Sequence, residues 1–156
     1  MLIGTFNYKI DAKGRIPIPA PFRGYLKENY PEEELVLVAG IGDKYLYLHP
    51  ISAWQRYSRK LKKKYFNARL RQLDTFLNAF SAHVSIDKQG RILIPENLKK
   101  LSELENEVVI IGNQNWIEIW SGKNWKKFTE EFIKSTESLE EMEKMFRSIN
   151  IEDEED

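Results

Sequence analysis

Apolar and polar residues alternate in two segments of the chain, with the period of a half-buried β-strand. The apolar positions are Phe6, Tyr8 and Ile10 in the first segment and Ala82, Val84 and Ile86 in the second. Each segment runs into an Asp-x-x-Gly sequence and then into a shorter apolar alternation that ends at a proline. An Asp that opens a turn accepts backbone N–H bonds, and a Gly three positions later can close a hairpin in the left-handed conformation. The pattern therefore predicts two β-hairpins.

The two hairpins belong to an internal repeat. Residues 10–19, IDAKGRIPIP, return 76 positions later as residues 86–95, IDKQGRILIP, with seven of ten residues identical. The similarity continues into further short strands and a tryptophan, Trp54 in the first copy and Trp125 in the second. The repeat divides the chain into residues 1–75 and 76–149, and we expect the acidic stretch at 150–156 to be a disordered tail.

Each copy is expected to hold a short helix after its proline and a longer amphipathic helix at its end. The apolar positions of the short helices are Phe22 and Leu26 in the first copy and Leu98, Leu101 and Leu104 in the second. Those of the long helices are Ile51, Trp54, Tyr57, Leu61 and Tyr65, and then Trp125, Phe128, Phe132 and Leu139. The fold class is therefore α+β. Because four short strands bury little alone, the copies are expected to interlock into one shared barrel that brings Arg15 and Arg91 together.

An arginine directly follows the turn glycine in both copies. Arg15 follows Gly14 and Arg91 follows Gly90, and the same turns carry Lys13 and Lys88. Arginine bonds bidentately to guanine O6 and N7 and to phosphate oxygens, so these four cations are candidate DNA contacts. The alternative is a tight hairpin whose exposed arginine pairs with Asp11 or Asp87. The recurrence of the arginine favours the DNA-binding interpretation, because a turn requires the glycine but not the arginine.

A second basic feature is the first long helix. Residues 56–71 include eight cations and no acidic residue, interleaved with aromatic and aliphatic positions. Candidate phosphate contacts on this segment are Arg59, Lys62, Lys63 and Lys64. A solvated helix face, or one that neutralises acidic residues of the second half or of a neighbouring subunit, explains the same pattern equally well.

Charge is segregated along a chain that is formally neutral. Residues 1–72 contain 14 basic and 6 acidic residues, whereas residues 73–156 contain 10 and 18. Such asymmetry is typical of a protein with a polyanion-binding end and an acidic end. A folded or oligomeric protein can nevertheless interleave the two halves.

Several classes of function are disfavoured by what the chain lacks. It has no cysteine, which excludes disulfides, thiolate metal sites and a cysteine nucleophile. His49 and His83 have no ligand-spaced partners, so we expect no metal, no cofactor and no catalytic residue. The longest apolar run, residues 35–41, is far too short to cross a bilayer, and no signal-peptide pattern is present, so a soluble cytoplasmic protein is expected.

Taken together, these motifs resemble the MraZ family. The resemblance is carried by the two Asp-x-x-Gly-Arg turns that continue into Ile-x-Ile-Pro. It is also carried by Tyr45-Leu-Tyr-Leu-His-Pro with Trp54, and by Glu118-Ile-Trp120 with Trp125. It implies tandem swapped-hairpin domains of the AbrB type, each a small β-barrel unit followed by a longer helix, assembled into a ring-shaped homo-oligomer.

The resemblance also implies a function. It points to a nucleoid-associated bacterial transcriptional regulator that binds short direct repeats in double-stranded DNA upstream of the division and cell-wall gene cluster. The family's Asp-x-x-x-Arg signature falls on Asp11 and Arg15 and on Asp87 and Arg91, and its arginines are the implied DNA contacts. The second turn has Gln89 where the first has Lys13, so the two hairpins are expected to contribute unequally. An antitoxin-like or scaffold ring that binds a protein partner stays open as the alternative.

Overall fold

Eight strands and six helices form the part of the chain that the computed structural model describes, which comprises residues 1–40, 42, 44–63 and 68–155. The elements of the first half are β1 (Leu2–Lys9), β2 (Arg15–Pro17), α1 (Ala20–Asn29), β3 (Leu35–Ala39), β4 (Tyr45–Pro50), α2 (Ile51–Lys62) and α3 (Ala68–Ala79). Those of the second half are β5 (Ser81–Val84), β6 (Arg91–Leu93), α4 (Glu96–Leu101), β7 (Glu107–Gln114), β8 (Trp116–Ser121), α5 (Gly122–Lys134) and α6 (Thr136–Glu155). The predicted α+β class is confirmed.

The strands form two antiparallel sheets. Six of them lie in the order β1-β7-β8-β4-β3-β5, while β2 and β6 pair only with each other. The outer strands β1 and β5 of the large sheet do not pair, so the described residues contain no closed barrel, and the expected shared barrel is not found. The physical reason is that β1 pairs with β7 along its whole length, while the two three-residue strands form a separate ribbon.

Four of the six strand pairs in the described structure join a strand of the first repeat to a strand of the second. β1 of the first repeat pairs with β7 of the second, β5 of the second pairs with β3 of the first, and β4 pairs with β8. The segments on either side of each Asp-x-x-Gly turn therefore do not form a simple two-stranded hairpin. Each turn is tight, but its returning strand pairs with the returning strand of the other repeat.

The main core is built by equivalent residues of both repeats. Ile16, Ile18 and Phe22 of the first and Ile92, Ile94 and Leu98 of the second are buried in one cluster with side chains from the large sheet. These are the residues that the alternating and helical patterns placed on apolar faces. A smaller cluster lies where Val36 and Val38 of β3 meet Leu77 of α3, with Trp54 and Leu73 packed against it.

The helices differ from the predicted pattern at three points. Leu139, predicted on one long helix with Trp125, lies on α6, because α5 ends at Lys134 and α6 begins at Thr136. The basic segment 56–71 is not one helix, because α2 ends at Lys62 and α3 begins at Ala68. Lys64 and Tyr65, assigned to that helix from the sequence, lie outside the described residues. Helix α6 continues to Glu155, so residues 150–155 are helical where a disordered tail was expected.

The chain divides into two compact units. Residues 1–122 form the first, which contains all eight strands, and residues 123–156 form the second, which is helical. Within the second unit, the ring of Phe128 contacts those of Trp125 and Phe132 along α5, with centroids 5.7 and 5.8 Å away. Among the described residues, no helix has the length and apolar character needed to cross a membrane.

Candidate nucleic-acid interface

The β2–β6 ribbon brings the two repeated arginines to one face. Ile16 and Ile92 pair at its centre, and both side chains are buried in the core. Because side chains alternate along a strand, the flanking residues project to the opposite, outer face. Arg15 is paired with Leu93 and Pro17 with Arg91, so both arginines lie on that outer face. This is the juxtaposition that the sequence repeat predicts.

Each turn is held by its aspartate. Asp11 Oδ1 accepts hydrogen bonds from the backbone N–H of Lys13 and of Arg15, both at 2.9 Å. Asp87 Oδ1 accepts the equivalent bonds from Gln89 at 2.9 Å and Arg91 at 3.0 Å. The bond from the arginine N–H is the main cause that lowers the pKa of each aspartate below its usual 3.8. Both carboxylates therefore remain ionised throughout the physiological range.

The turn glycines join the two repeats. Gly14 and Gly90 adopt the left-handed conformation, with φ of 86° and 79°. The carbonyl oxygen of Gly90 accepts a bond from Ile18 N at 2.8 Å, and that of Gly14 accepts one from Ile94 N at 2.8 Å. Each turn is thus anchored to the strand that leaves the other turn. Asp11, Gly14, Asp87 and Gly90 accordingly shape the loops from which the arginines project.

The two arginines have different surroundings. Arg91 Nε lies 3.1 Å from Asp87 Oδ2, and Arg91 Nη1 lies 3.8 Å from Asp11 Oδ2. Its side chain is 28% exposed. Arg15 forms no ion pair within 4 Å among the described residues, although its charge also lowers the pKa of Asp11. The alternative interpretation, in which the turn arginine forms an ion pair with an aspartate, therefore describes Arg91 but not Arg15.

A further cation, which the sequence motifs did not single out, lies at the second turn. Arg23 of α1 donates from Nε to the carbonyl of Ile18 at 3.0 Å, and a Cβ added at Gly90 would lie 2.8 Å from its guanidinium carbon. Its position could have been found from the repeat, because Arg23 and Lys99 each stand four residues after the repeated proline. Lys13 and Lys88 are exposed beside the turns. Four cations therefore lie on the two turns, Lys13, Arg15, Lys88 and Arg91, and Arg23 of α1 lies beside the second turn.

The basic residues of α2 are not part of the ribbon. Arg59, Lys62 and Lys63 are exposed, and α2 packs against β3 and β4 of the large sheet. Arg59 Nε donates to the carbonyl of Gln55 in its own helix, at 3.4 Å. Lys64 falls outside the described residues. The candidate phosphate contacts therefore lie on α2 or directly after it, whereas Arg15 and Arg91 lie on the β2–β6 ribbon.

Sequence reasoning also missed an aromatic cluster built around a buried carboxylate. Glu118 is 8% exposed and accepts hydrogen bonds from Asn113 Nδ2 at 2.8 Å, Trp116 Nε1 at 2.9 Å and Trp120 Nε1 at 3.0 Å. The Trp120 ring stacks on Tyr45 with centroids 4.4 Å apart. The sequence could have indicated this cluster, because residues two apart on a strand face the same side, and Trp116, Glu118 and Trp120 have that spacing on β8. The cluster orients the tryptophan rings and offers no acid-base pair.

The two histidines have different surroundings. Burial lowers the pKa of His49 to about 4, so this side chain is neutral at pH 7. It lines a cavity of about 550 Å³ together with Tyr47, Trp54 and Trp116. His83 is 70% exposed, with Nδ1 3.2 Å from Glu34. No group of three or more His, Asp or Glu side chains among the described residues is arranged to hold a metal ion.

Comparison with known proteins finds one family along almost the whole chain. The model of the family described as "MraZ protein, putative antitoxin-like" matches twice, at residues 1–77 and 75–148. A transcriptional regulator MraZ from Lachnoclostridium phytofermentans is 40% identical over 126 residues, which is 81% of this chain and 85% of that protein. The one from Thermoanaerobacter pseudethanolicus is 37% identical over 153 residues, covering 97% and 100%. The one from Clostridium tetani is 36% identical over 146 residues, covering 93% and 99%.

Proposed function

This chain belongs to the MraZ family, and on that premise we propose that it is a sequence-specific DNA-binding transcriptional regulator, not an enzyme. The observation that carries the proposal is the shared outer face of the β2–β6 ribbon, where Arg15 and Arg91 project beside two rigid turns. A two-stranded ribbon fits the major groove of B-DNA, which is about 12 Å wide. Arginines on such a ribbon can reach guanine O6 and N7.

The remaining cations have a different proposed role. Lys13 and Lys88 lie on the turns. The basic segment 56–71 supplies the other candidates, which are Arg59, Lys62, Lys63 and Lys64. Lysines on exposed surfaces contact phosphates as point charges, which strengthens binding without selecting a sequence. We assign the ribbon to recognition and these lysines, with Arg59, to phosphate contacts.

We further propose that the two repeats form swapped-hairpin domains of the AbrB type. The pairing of β2 with β6, and the bonds from Ile18 N to Gly90 O and from Ile94 N to Gly14 O, support this proposal. Each returning strand pairs with the returning strand of the other repeat, as a swapped arrangement requires.

The active form is proposed to be a ring of several copies. Large apolar side chains are exposed on the helices of the second unit: Phe128, Ile133, Leu139, Met142, Met145, Phe146 and Ile149. Exposed large apolar side chains in such number are expected at a contact with another protein. Several ribbons in one ring would engage direct repeats together, gaining about 10²–10⁴ in affinity through effective concentration. A sedimentation mass of one or two chains at micromolar concentration would contradict the ring.

The proposed target is promoter DNA of the division and cell-wall gene cluster, with the protein at the nucleoid. The test is a footprint of the full chain on the DNA upstream of its own gene, followed by titration of that duplex and a scrambled duplex at several salt concentrations. A DNA-binding protein gives a steep fall of log affinity with log salt and a protected block of short repeats. A scaffold or antitoxin-like protein would give no footprint and almost no slope, and that result would overturn the proposal.

A further inference from the structure

One large apolar side chain stands on the cationic face of the ribbon. Leu93 is 55% exposed, although the residue before it, Ile92, is buried in the core. Leu93 is paired across the ribbon with Arg15. Its Cδ1 lies 3.8 Å from the position that a Cβ would take on Gly14, so the side chain stands over the first turn.

The place of Leu93 suits a contact with a base. Residues directly opposite on an antiparallel ribbon have Cβ atoms about 4.5–5.5 Å apart. Base pairs in a duplex are stacked about 3.4 Å apart, so Arg15 and Leu93 can reach the same or neighbouring base pairs. In the major groove, only thymine presents a methyl group, and an apolar side chain distinguishes it from cytosine by contact with that methyl.

We propose that Leu93 is a specificity-determining residue that contacts the C5-methyl group of a thymine next to the base bound by Arg15. The inference rests on the proposed function. It adds that the ribbon selects a thymine through apolar contact, in addition to any hydrogen bonds from its arginines.

The charge around Leu93 argues for DNA over a second copy of this chain as its partner. The two turns carry four cations and two carboxylates, Asp11 and Asp87, and Arg23 of α1 adds a further cation beside the second turn. The ribbon of a second copy would present the same excess of positive charge and would be repelled, whereas the phosphates of a duplex attract it.

The two repeats differ at this position. The equivalent of Leu93 in the first repeat is Pro17, which is paired with Arg91. Proline lacks the branched end that reaches outward from leucine. The methyl contact therefore belongs to one side of the ribbon, beside Arg15, the arginine without an ion pair among the described residues.

The test uses a duplex that the full-length protein selects from a random library. Each thymine of that duplex is replaced in turn by deoxyuridine, which removes only the methyl group. We expect one replacement adjacent to a required guanine to weaken binding about four-fold, the amount that corresponds to one buried methylene-sized group. In Leu93→Ala the same replacement should change affinity little, because the shortened side chain no longer reaches the methyl group.

Two further variants separate recognition from folding. Leu93→Val keeps methyl groups at the position and should retain part of the deoxyuridine effect. Ile3→Ala removes another exposed aliphatic side chain, 62% exposed on β1 of the large sheet, and should retain the whole effect. If Leu93→Ala does not fold, a comparison of the deoxyuridine scans of the wild-type protein and Leu93→Val still tests whether Leu93 contacts a thymine methyl group.

Three outcomes overturn the inference. They are tolerance of deoxyuridine at every position by the wild type, an equal loss in wild type and Leu93→Ala, and a selected duplex with no thymine beside the required guanine. In each case the proposed function survives if Arg15→Ala still weakens binding to the selected duplex. Failure of the wild-type protein to enrich any sequence would overturn both.

Discussion

The guanidinium of Arg91 lies 3.8 Å from the carboxylate of Asp11, which belongs to the turn of the other repeat. Together with Asp87 at 3.1 Å, this places Arg91 between two carboxylates. Arg15, its counterpart in the first repeat, has no such pair among the described residues. Arg91 must exchange these direct partners for DNA, whereas the guanidinium of Arg15 interacts with Asp11 only beyond 4 Å and has fewer contacts to give up.

We therefore expect Arg15→Ala to weaken binding to the cognate duplex more than Arg91→Ala. Loss of a bidentate base contact should cost Arg15→Ala about 1–3 kcal/mol on the cognate duplex and much less on random DNA. Titration of each variant on cognate and scrambled duplexes measures the difference. Equal losses on both duplexes would show that the arginines bind phosphates without selecting sequence, and no loss would remove them from the DNA site.

Neutralising two lysines at the end of α2 should change salt dependence without changing specificity. In Lys62→Gln/Lys63→Gln, we expect equal weakening on cognate and random DNA. The salt slope should be shallower by about 0.9 for each phosphate that the variant no longer neutralises. The control is Lys126→Gln/Lys127→Gln, which removes two exposed lysines from α5. An unchanged slope in the α2 variant would favour the alternative of a solvated helix face.

Stability should fall as pH is lowered from 6.5 towards 4 because of His49. Its pKa is 6.5 when unfolded and about 4 in the folded protein, so in this window the unfolded chain binds a proton that the folded one does not. The loss has an upper bound of about 3 kcal/mol at pH 4. Urea denaturation at pH 7, 5.5 and 4.5 should show a weaker pH dependence in His49→Phe.

The chain provides a matched control for this prediction. His83 is the other of its two histidines and is largely exposed. His83→Gln should retain the pH dependence of the wild type. If His83→Gln abolished it and His49→Phe did not, the assignment to His49 would be wrong.

Removal of the Glu118 carboxylate should destabilise the fold strongly. Glu118→Ala takes away the acceptor of three N–H groups, two of them on tryptophans that lie at least partly inside the protein. We expect a loss of about 3 kcal/mol in the free energy of unfolding, because buried donors lose their acceptor. Denaturation followed by tryptophan fluorescence measures it. Glu105→Ala, at an exposed glutamate, serves as the control and should be nearly neutral.

Much of this molecule follows from local pattern. The alternation at Phe6, Tyr8 and Ile10 predicts a strand, and β1 contains Phe6 and Tyr8 and ends at Lys9, one residue before Ile10. Asp11 and Gly14 determine the first turn because its hydrogen bonds join residues no more than four apart, and such bonds depend on short stretches of sequence. The same holds for Asp87 and Gly90. The repeat itself predicted that Arg15 and Arg91 would lie together.

What the sequence could not determine is the partner of each strand. Alternation specifies which face of β2 is buried but not which strand binds its edge, since backbone hydrogen bonds are the same for every sequence. The tertiary structure pairs β2 with β6, leaves the large sheet open, and thereby sets Asp11 beside Arg91 and Leu93 opposite Arg15. These pairs join residues about 80 positions apart, and only the folded chain brings such residues within reach.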